Sequence, residues 1–248
     1  MRWLVIVVAL ARVASADEPA KRGGPVPQTG GDDLATELAI TGSLARGVTD
    51  RTLVTARGSL TADAGPWGAF AQTNWVFGEV NGRRSDDELY LRTLAFRSFA
   101  ERCFWFGVAV GEHSLHRMID ERLFAGGGLG TVVVRTRDAK LLASLGAVDE
   151  ITWFGDPLLG ERTVARATLR LYGRYALAPI ALTHDAYVMP STKDLRAIAY
   201  VALDVPLVHG LAGRVAFDAS YEQVIAAGTE HGDLAVTFGL AYAGAWQP

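Results

Sequence analysis

The chain has 248 residues, half of them hydrophobic, with 24 basic and 27 acidic side chains and a single cysteine, Cys103. A net charge of -3 is no nucleic-acid footprint. One thiol forms no internal disulfide, which leaves Cys103 as a small apolar filler near a strand end. No run reaches the roughly 18 to 20 apolar residues of a transmembrane helix, so a helical membrane protein is excluded.

The first sixteen residues read as a cleavable signal peptide: Arg2 supplies the positive start, Trp3 to Ala11 a short apolar run, and Ala14-Ser15-Ala16 the small residues a peptidase needs. Cleavage there removes Arg2 and Arg12 and leaves 22 basic against 27 acidic residues, about -5. No cysteine follows the cut, so a lipid anchor is not indicated. Residues 17–33 (DEPAKRGGPVPQTGGDD) carry Pro, Gly and both charges with almost nothing to bury, and are expected to form a disordered leader. Folding is expected over 34–248.

From Leu34 onward the chain divides into about twelve segments of roughly 9 to 15 residues with period-2 hydrophobicity, separated by Gly, Asp, Asn, Pro or basic clusters. Glu37 to Arg46 opens the series. Arg51 to Thr61 sets Val54, Ala56, Gly58 and Leu60 against Thr55, Arg57, Ser59 and Thr61. Asp63-Ala64-Gly65-Pro66 is an expected turn, as are Asn81-Gly82 with Arg83 to Asp87, Arg135 to Asp138, and Ala227 to Gly232. Between Trp67 and Phe99 the pattern is mixed, since Gln72 and Asn74 share parity with Phe70 and Val76. Lys140 to Phe154 is a further segment. The alternation then becomes clean. Arg162 to Tyr175 sets Ala165, Ala167, Leu169, Leu171 and Tyr175 against Arg166, Thr168, Arg170 and Arg174. The next clean segment sets Leu195, Ala197, Ala199, Val201, Leu203 and Val205 against Arg196, Tyr200 and Asp204. Val215, Phe217, Ala219 and Tyr221 oppose Arg214, Asp218, Ser220 and Glu222, and Leu234, Val236, Phe238, Leu240 and Tyr242 oppose Asp233 to Ala241 of odd number. Helical spacing mixes these sets.

Such a sheet buries its apolar face against a second sheet or against lipid. Segment length near the roughly 9 to 11 residues that cross a bilayer at a tilt favours lipid, and so do aromatics near segment ends. The candidates for interfacial girdles are Trp67, Phe77, Trp153, Phe154, Tyr175, Tyr187, Tyr221 and Trp246. Lipid leaves no edge unpaired, so the strands must close. The expected fold is therefore all-β, an antiparallel up-and-down transmembrane barrel of about twelve strands. Its lumen is expected to carry Arg166, Arg170, Arg174, Arg196, Asp204, Arg214, Asp218 and Glu222. The arginines either give anions a cationic wall or pair with Glu150, Asp204, Asp218 or Glu222 in a plugged lumen, and the second reading is preferred.

Thr237 to Pro248 resembles the terminal signal strand of bacterial outer-membrane proteins, with aromatics on one face, although Gln247 and Pro248 follow the last of them. From Glu88 to Phe154 the chain resembles the family called domain of unknown function 481, or salt-induced outer-membrane proteins. The residues are the glycine-laced Glu121 to Gly130, the polar Thr136 to Leu141, and Leu145-Gly146-Ala147. The resemblance implies a barrel of unestablished function.

Catalytic and ligand signatures are weak. Gly126-Gly127-Gly128-Leu129-Gly130 lacks the Lys-Ser or Lys-Thr and the helix of a phosphate loop, and reads as close strand packing or a bulge. Glu112, His113 and His116 with Asp120 and Glu121 lack the second pair that a metal site needs. His184 and Asp185 point to opposite faces and form no triad with Ser191. The expectation is a non-enzymatic outer-membrane barrel, structural or weakly conducting, with no metal or cofactor. Its partners are outer-membrane lipid, periplasmic chaperones and the barrel-assembly machinery. The rivals are a soluble periplasmic lipocalin-like or sandwich carrier and an outer-membrane lipid-modifying enzyme.

Overall fold

A computed structural model describes residues 33–45, 51–208, 210–226, 229 and 231–246. The expected signal peptide (1–16) and all of the leader but Asp33 lie outside the described residues, as do 227, 228 and 230 of the last expected turn. Twelve strands account for most of the rest: β1 Asp33–Ala45, β2 Arg51–Ala64, β3 Trp67–Val80, β4 Arg83–Ser98, β5 Cys103–Ser114, β6 Ile119–Arg135, β7 Ala139–Phe154, β8 Glu161–Leu177, β9 Ile180–Pro190, β10 Leu195–Val208, β11 Leu211–Glu222 and β12 Gly232–Trp246. Each pairs antiparallel with its sequence neighbours, and β1 pairs with β12 from Leu34↔Trp246 to Gly42↔Phe238, so the sheet closes.

Closure gives the barrel two unlike ends. At the end where β1 begins and β12 finishes, strands are joined by two to four residues; at the other, the joints reach nine residues, between β11 and β12. Asn81 and Gly82 make a two-residue hairpin with both φ angles positive (51° and 74°), the backbone that right-twisted strands require. Here the sequence reading is corrected. Arg83 to Asp87 is not loop but the start of β4, reached through a register shift at Gly78/Glu79. Its polar residues stand where a strand can project beyond the bilayer into water.

Parity assigns the faces. Leu145 is 59% exposed and Leu234 74%, and Leu89, Leu91, Leu169, Leu171, Phe217, Phe238 and Leu240 also lie on the outer surface. Arginines and carboxylates of the opposite parity are buried in the lumen. An inward-packing soluble carrier requires the reverse. Arginine at the middle of this belt, as Leu145→Arg, should cost about 2 to 4 kcal/mol by the depth dependence of lipid-facing charge. Urea titration of the folded barrel in lipid vesicles reads that loss, and an unchanged midpoint would remove β7 from the lipid face.

The expected girdle is partly corrected. Trp67 and Tyr175 lie outward at the short-turn end, with Arg97 over the Trp67 ring at 5.0 Å. Phe77, Trp153 and Tyr221 lie outward toward the long-loop end, where Trp153 Nε1 donates to Glu161 at 3.2 Å. Trp246 pairs with Leu34 in the closing ladder. Phe154 and Tyr187 instead face the lumen: Phe154 shares parity with Glu150 and is buried, and Tyr187 hydrogen-bonds to Arg92. Position near a segment end says nothing about face, and parity decides.

Candidate lumen site

Three layers fill the barrel, beginning at the short-turn end with an apolar cluster. Phe70, Leu94, Phe96, Phe104, Val132, Leu142 and Tyr172 pack across the β3–β8 wall, with Phe106 against them. The glycines of β6 allow the tight wall beneath. A Cβ on Gly130 would occupy the Phe104 ring, so the ring lies flat over the glycine.

At the other end lies a network of ion pairs. Arg122 donates to Glu222 through two nitrogens at 2.8 Å each and to Glu112 at 3.2 Å. Arg196 reaches Glu112 at 2.5 Å, and Arg117 of the β5–β6 turn reaches the same carboxylate at 2.8 Å. Arg166 clamps Glu150 at 2.9 Å and Asp194 at 2.5 Å, and Arg162 also holds Asp194. β6 and β11 are five strands apart in the ring, as are β5 and β10, so Arg122–Glu222 and Arg196–Glu112 span the lumen. Burial is nearly complete, with Glu112, Arg122 and Arg196 side chains 2–3% exposed. Ions so placed persist only when paired and hydrogen-bonded. In the β9–β10 turn, burial pushes the Asp194 carboxyl up, but hydrogen bonds from Arg166, Ser191 and Arg162 outweigh it and hold the group well below the ordinary carboxylate range.

Between these layers is a cavity of about 540 Å³. On one side Arg57 bonds Asp218 at 2.9 Å and lies 3.7 Å from the centre of the Tyr200 ring. Deeper in, Arg170 holds Asp185 at 2.7 and 2.9 Å, while Arg92 reaches Asp185 at 3.2 Å, Gln72 at 2.7 Å and the Tyr187 hydroxyl. Below the cavity, Arg214 joins Asp204 (2.6 Å) and Glu37 (2.6 Å). Arg214–Glu37 and Arg57–Asp218 both bridge β11 to the far side of the β1–β12 seam, bracing the closure from within.

The sequence matches the family described as "Protein of unknown function, DUF481" over residues 38–243. The chain belongs to this family. No curated protein matches it. Among solved structures, the NanC porin superimposes with a TM-score of 0.50 at 10% identity, covering 84% of this chain and 98% of that one. The translocator domain of the autotransporter NalP from Neisseria meningitidis gives 0.47 at 13%, covering 87% and 88%. An outer membrane channel from Pseudomonas putida F1 gives 0.47 at 12%, covering 94% and 100%. At such identities the NanC likeness speaks for the fold alone. This DUF481 member has the closed antiparallel barrel of outer-membrane proteins.

Within this DUF481 barrel all eight residues of the expected charge row have lumen parity, but they do not form one row. Arg166, Arg196 and Glu222 join the upper network; Arg170 pairs with Asp185; Asp218 holds Arg57; and Asp204 with Arg214 braces the seam. Of the partners expected for the β8 arginines, only Glu150 serves, on Arg166. Arg174 lies beside Lys140 and Thr183 near the short-turn end. Arg57, Arg92, Glu112, Arg122, Asp185 and Asp194 carry as much of the site and were not in the row. For Arg92 the signal was present, since Glu88, Tyr90 and Arg92 alternate with Leu89 and Leu91. His113 Nδ1 meets the Asp120 carbonyl at 2.8 Å while His116 Nε2 lies 3.1 Å from Asp233, so the two rings serve different partners. His184 faces outward and stacks on Tyr175, opposite Asp185, and Ser191 caps the turn by donating to Asp194 at 2.7 Å.

Proposed function

We propose that this chain is exported by residues 1–16 and folds into the outer membrane as a non-catalytic barrel, which conducts small solutes only weakly because ion pairs cross its lumen. One observation carries the reading: Arg122–Glu222 and Arg196–Glu112 tie opposite walls together at full burial. A row of unpaired arginines lowers the barrier for anions; here Arg166 and Arg170 are each held by carboxylates within 3 Å. The apolar belt and its aromatic rims suit lipid, and the short-turn end, where both strand termini lie, fits the periplasmic side. On this reading the partners are outer-membrane lipid, the chaperones that escort the unfolded chain and the assembly machinery that receives β12.

Two measurements test it. Gel mobility with and without boiling, on membranes separated by density, should show a heat-dependent shift in the outer-membrane fraction. In planar bilayers the purified protein should give a conductance well below that of open sixteen-stranded porins, whose lumen is an aqueous channel. Extraction without detergent and no shift would remove the membrane placement; porin-sized steps would remove the closed lumen.

A further inference from the structure

Charge in the upper network balances. Arg117, Arg122, Arg162, Arg166 and Arg196 face Glu88, Glu112, Glu150, Asp194 and Glu222, five against five. The Arg57–Asp218 pair beside the cavity is also neutral. The floor is different. There Arg92 and Arg170 share the single carboxylate of Asp185, and their side chains are 6% and 5% exposed. Arg92 Nε is buried with no hydrogen-bond partner among the described residues. Around them stand Tyr187, whose ring centre is 5.4 Å from one guanidinium and 5.1 Å from the other, and Gln72. Within the trio of Arg92, Arg170 and Asp185 one positive charge exceeds the carboxylate, whereas Arg214 below takes two carboxylates, Asp204 and Glu37; in so secluded a place the paired guanidinium groups draw an anion.

The wall of the same cavity that runs from β4 to β7, between the strands of Arg92 and Arg170, is greasy. Leu94, Phe106, Val108, Val110, Phe124 and Val148 all border it, and Val110, Phe124 and Val148 pack as a cluster with Tyr90. A water-filled passage gains nothing from that lining. A site that retains an organic body does, because small-molecule sites join a mostly apolar wall to a few polar groups in roughly 300 to 1,000 Å³. Asp86, Glu88 and Asp233 border the cavity further up, with His116 and Arg117 among them. Entry is set by that mixed rim and retention by the floor.

We infer that the cavity binds an organic carboxylate with an apolar body, its carboxylate on Arg92 and Arg170 and its body against the Phe124 wall. The inference rests on the closed-barrel reading but not on conductance. Calorimetry reads it and bilayer recording reads the other, so each fails separately. The full-length protein, extracted in a neutral maltoside detergent and verified as folded by its heat-dependent gel shift, is titrated with benzoate, benzamide and inorganic phosphate. Benzoate should bind saturably, benzamide not at all, and phosphate at least about tenfold more weakly. Arg92→Gln should keep the gel shift, because it leaves Arg170 and Asp185 as a one-to-one pair, and should weaken benzoate by at least about tenfold, the scale of one charge-assisted contact. Arg170→Gln leaves Arg92 and Asp185 equally balanced and should behave alike, which covers the case in which Arg92→Gln does not assemble. No benzoate binding to the folded wild type, or benzoate binding unchanged in the folded variant, overturns the site. Benzamide binding as well as benzoate overturns the role of charge, and phosphate binding as well as benzoate overturns the apolar body.

Discussion

Glu112→Ala is expected to destabilise the barrel by about 3 to 5 kcal/mol, the cost of leaving buried charge without its partner, and to raise its conductance in planar bilayers. Glu112 accepts from Arg196 at 2.5 Å and Arg122 at 3.2 Å and forms an ion pair with Arg117 at 2.8 Å, three arginines that arrive from β10, β6 and the β5–β6 turn. Truncation leaves them crowded about Glu222, Glu150 and Glu88, with no ion pair among the described residues tying β5 to β10 across the lumen. Repulsion then drives the arginines apart and water enters between them. Urea titration followed by tryptophan fluorescence reads the stability, and single-channel recording reads the opening. The double change Glu112→Gln with Arg196→Met should recover part of the loss, because it removes both ions of the Arg196–Glu112 pair and leaves Arg122 on Glu222. A cost below about 1 kcal/mol, the range of hydrated surface pairs, would mean that water already bathes the network.

Why the sequence shows some of this and conceals the rest follows from what alternation encodes. In β8, β10, β11 and β12 aliphatic residues take one parity and charge the other, so face and fold can both be read without coordinates. β3 and β4 resist that reading. Phe70 and Val76 share the lumen with Gln72 and Asn74 because the interior there holds the apolar layer of the short-turn end and an apolar cavity wall, and hydrophobicity stops marking the lipid side. Arg122 is concealed for the same reason: its parity-mates Phe124 and Val132 are apolar and equally inward. Pairing across the ring is concealed more deeply. Parity places Arg122 and Glu222 on the inner surface, but nothing local in a sequence says that residues 100 positions apart will meet. That depends on strand number and on the β1–β12 closure. The glycines of β6 stand between these cases. Their number signals close packing, while what presses on each is a property of the assembled wall.

Gly128→Val should abolish assembly, and the reason lies in that wall. β6 and β7 pair at Gly128↔Gly146 and Gly127↔Ala147. A Cβ on Gly128 would fall 2.5 Å from Gly146 Cα and 2.9 Å from the Leu145 carbonyl carbon, and closer still to the Leu145 oxygen. All three are backbone atoms of the partner strand. Rotamer changes cannot relieve them, so the strands must separate, and a barrel that loses one ladder acquires two unpaired edges that lipid cannot satisfy. The same approach recurs at Gly126, where a Cβ would meet Val148 Cα at 2.7 Å, so β6 has no adjacent register in which to move aside. Gly58→Ala is the matched control: its new methyl group would find Thr73 Cγ2 at 3.6 Å, an ordinary contact. Folding from urea into lipid vesicles, read by the heat-dependent gel shift, should give a barrel from Gly58→Ala and none from Gly128→Val. A folded Gly128→Val barrel of unchanged stability would mean that β6 and β7 do not approach this closely, and with them would go the tight wall against which Phe104 lies flat.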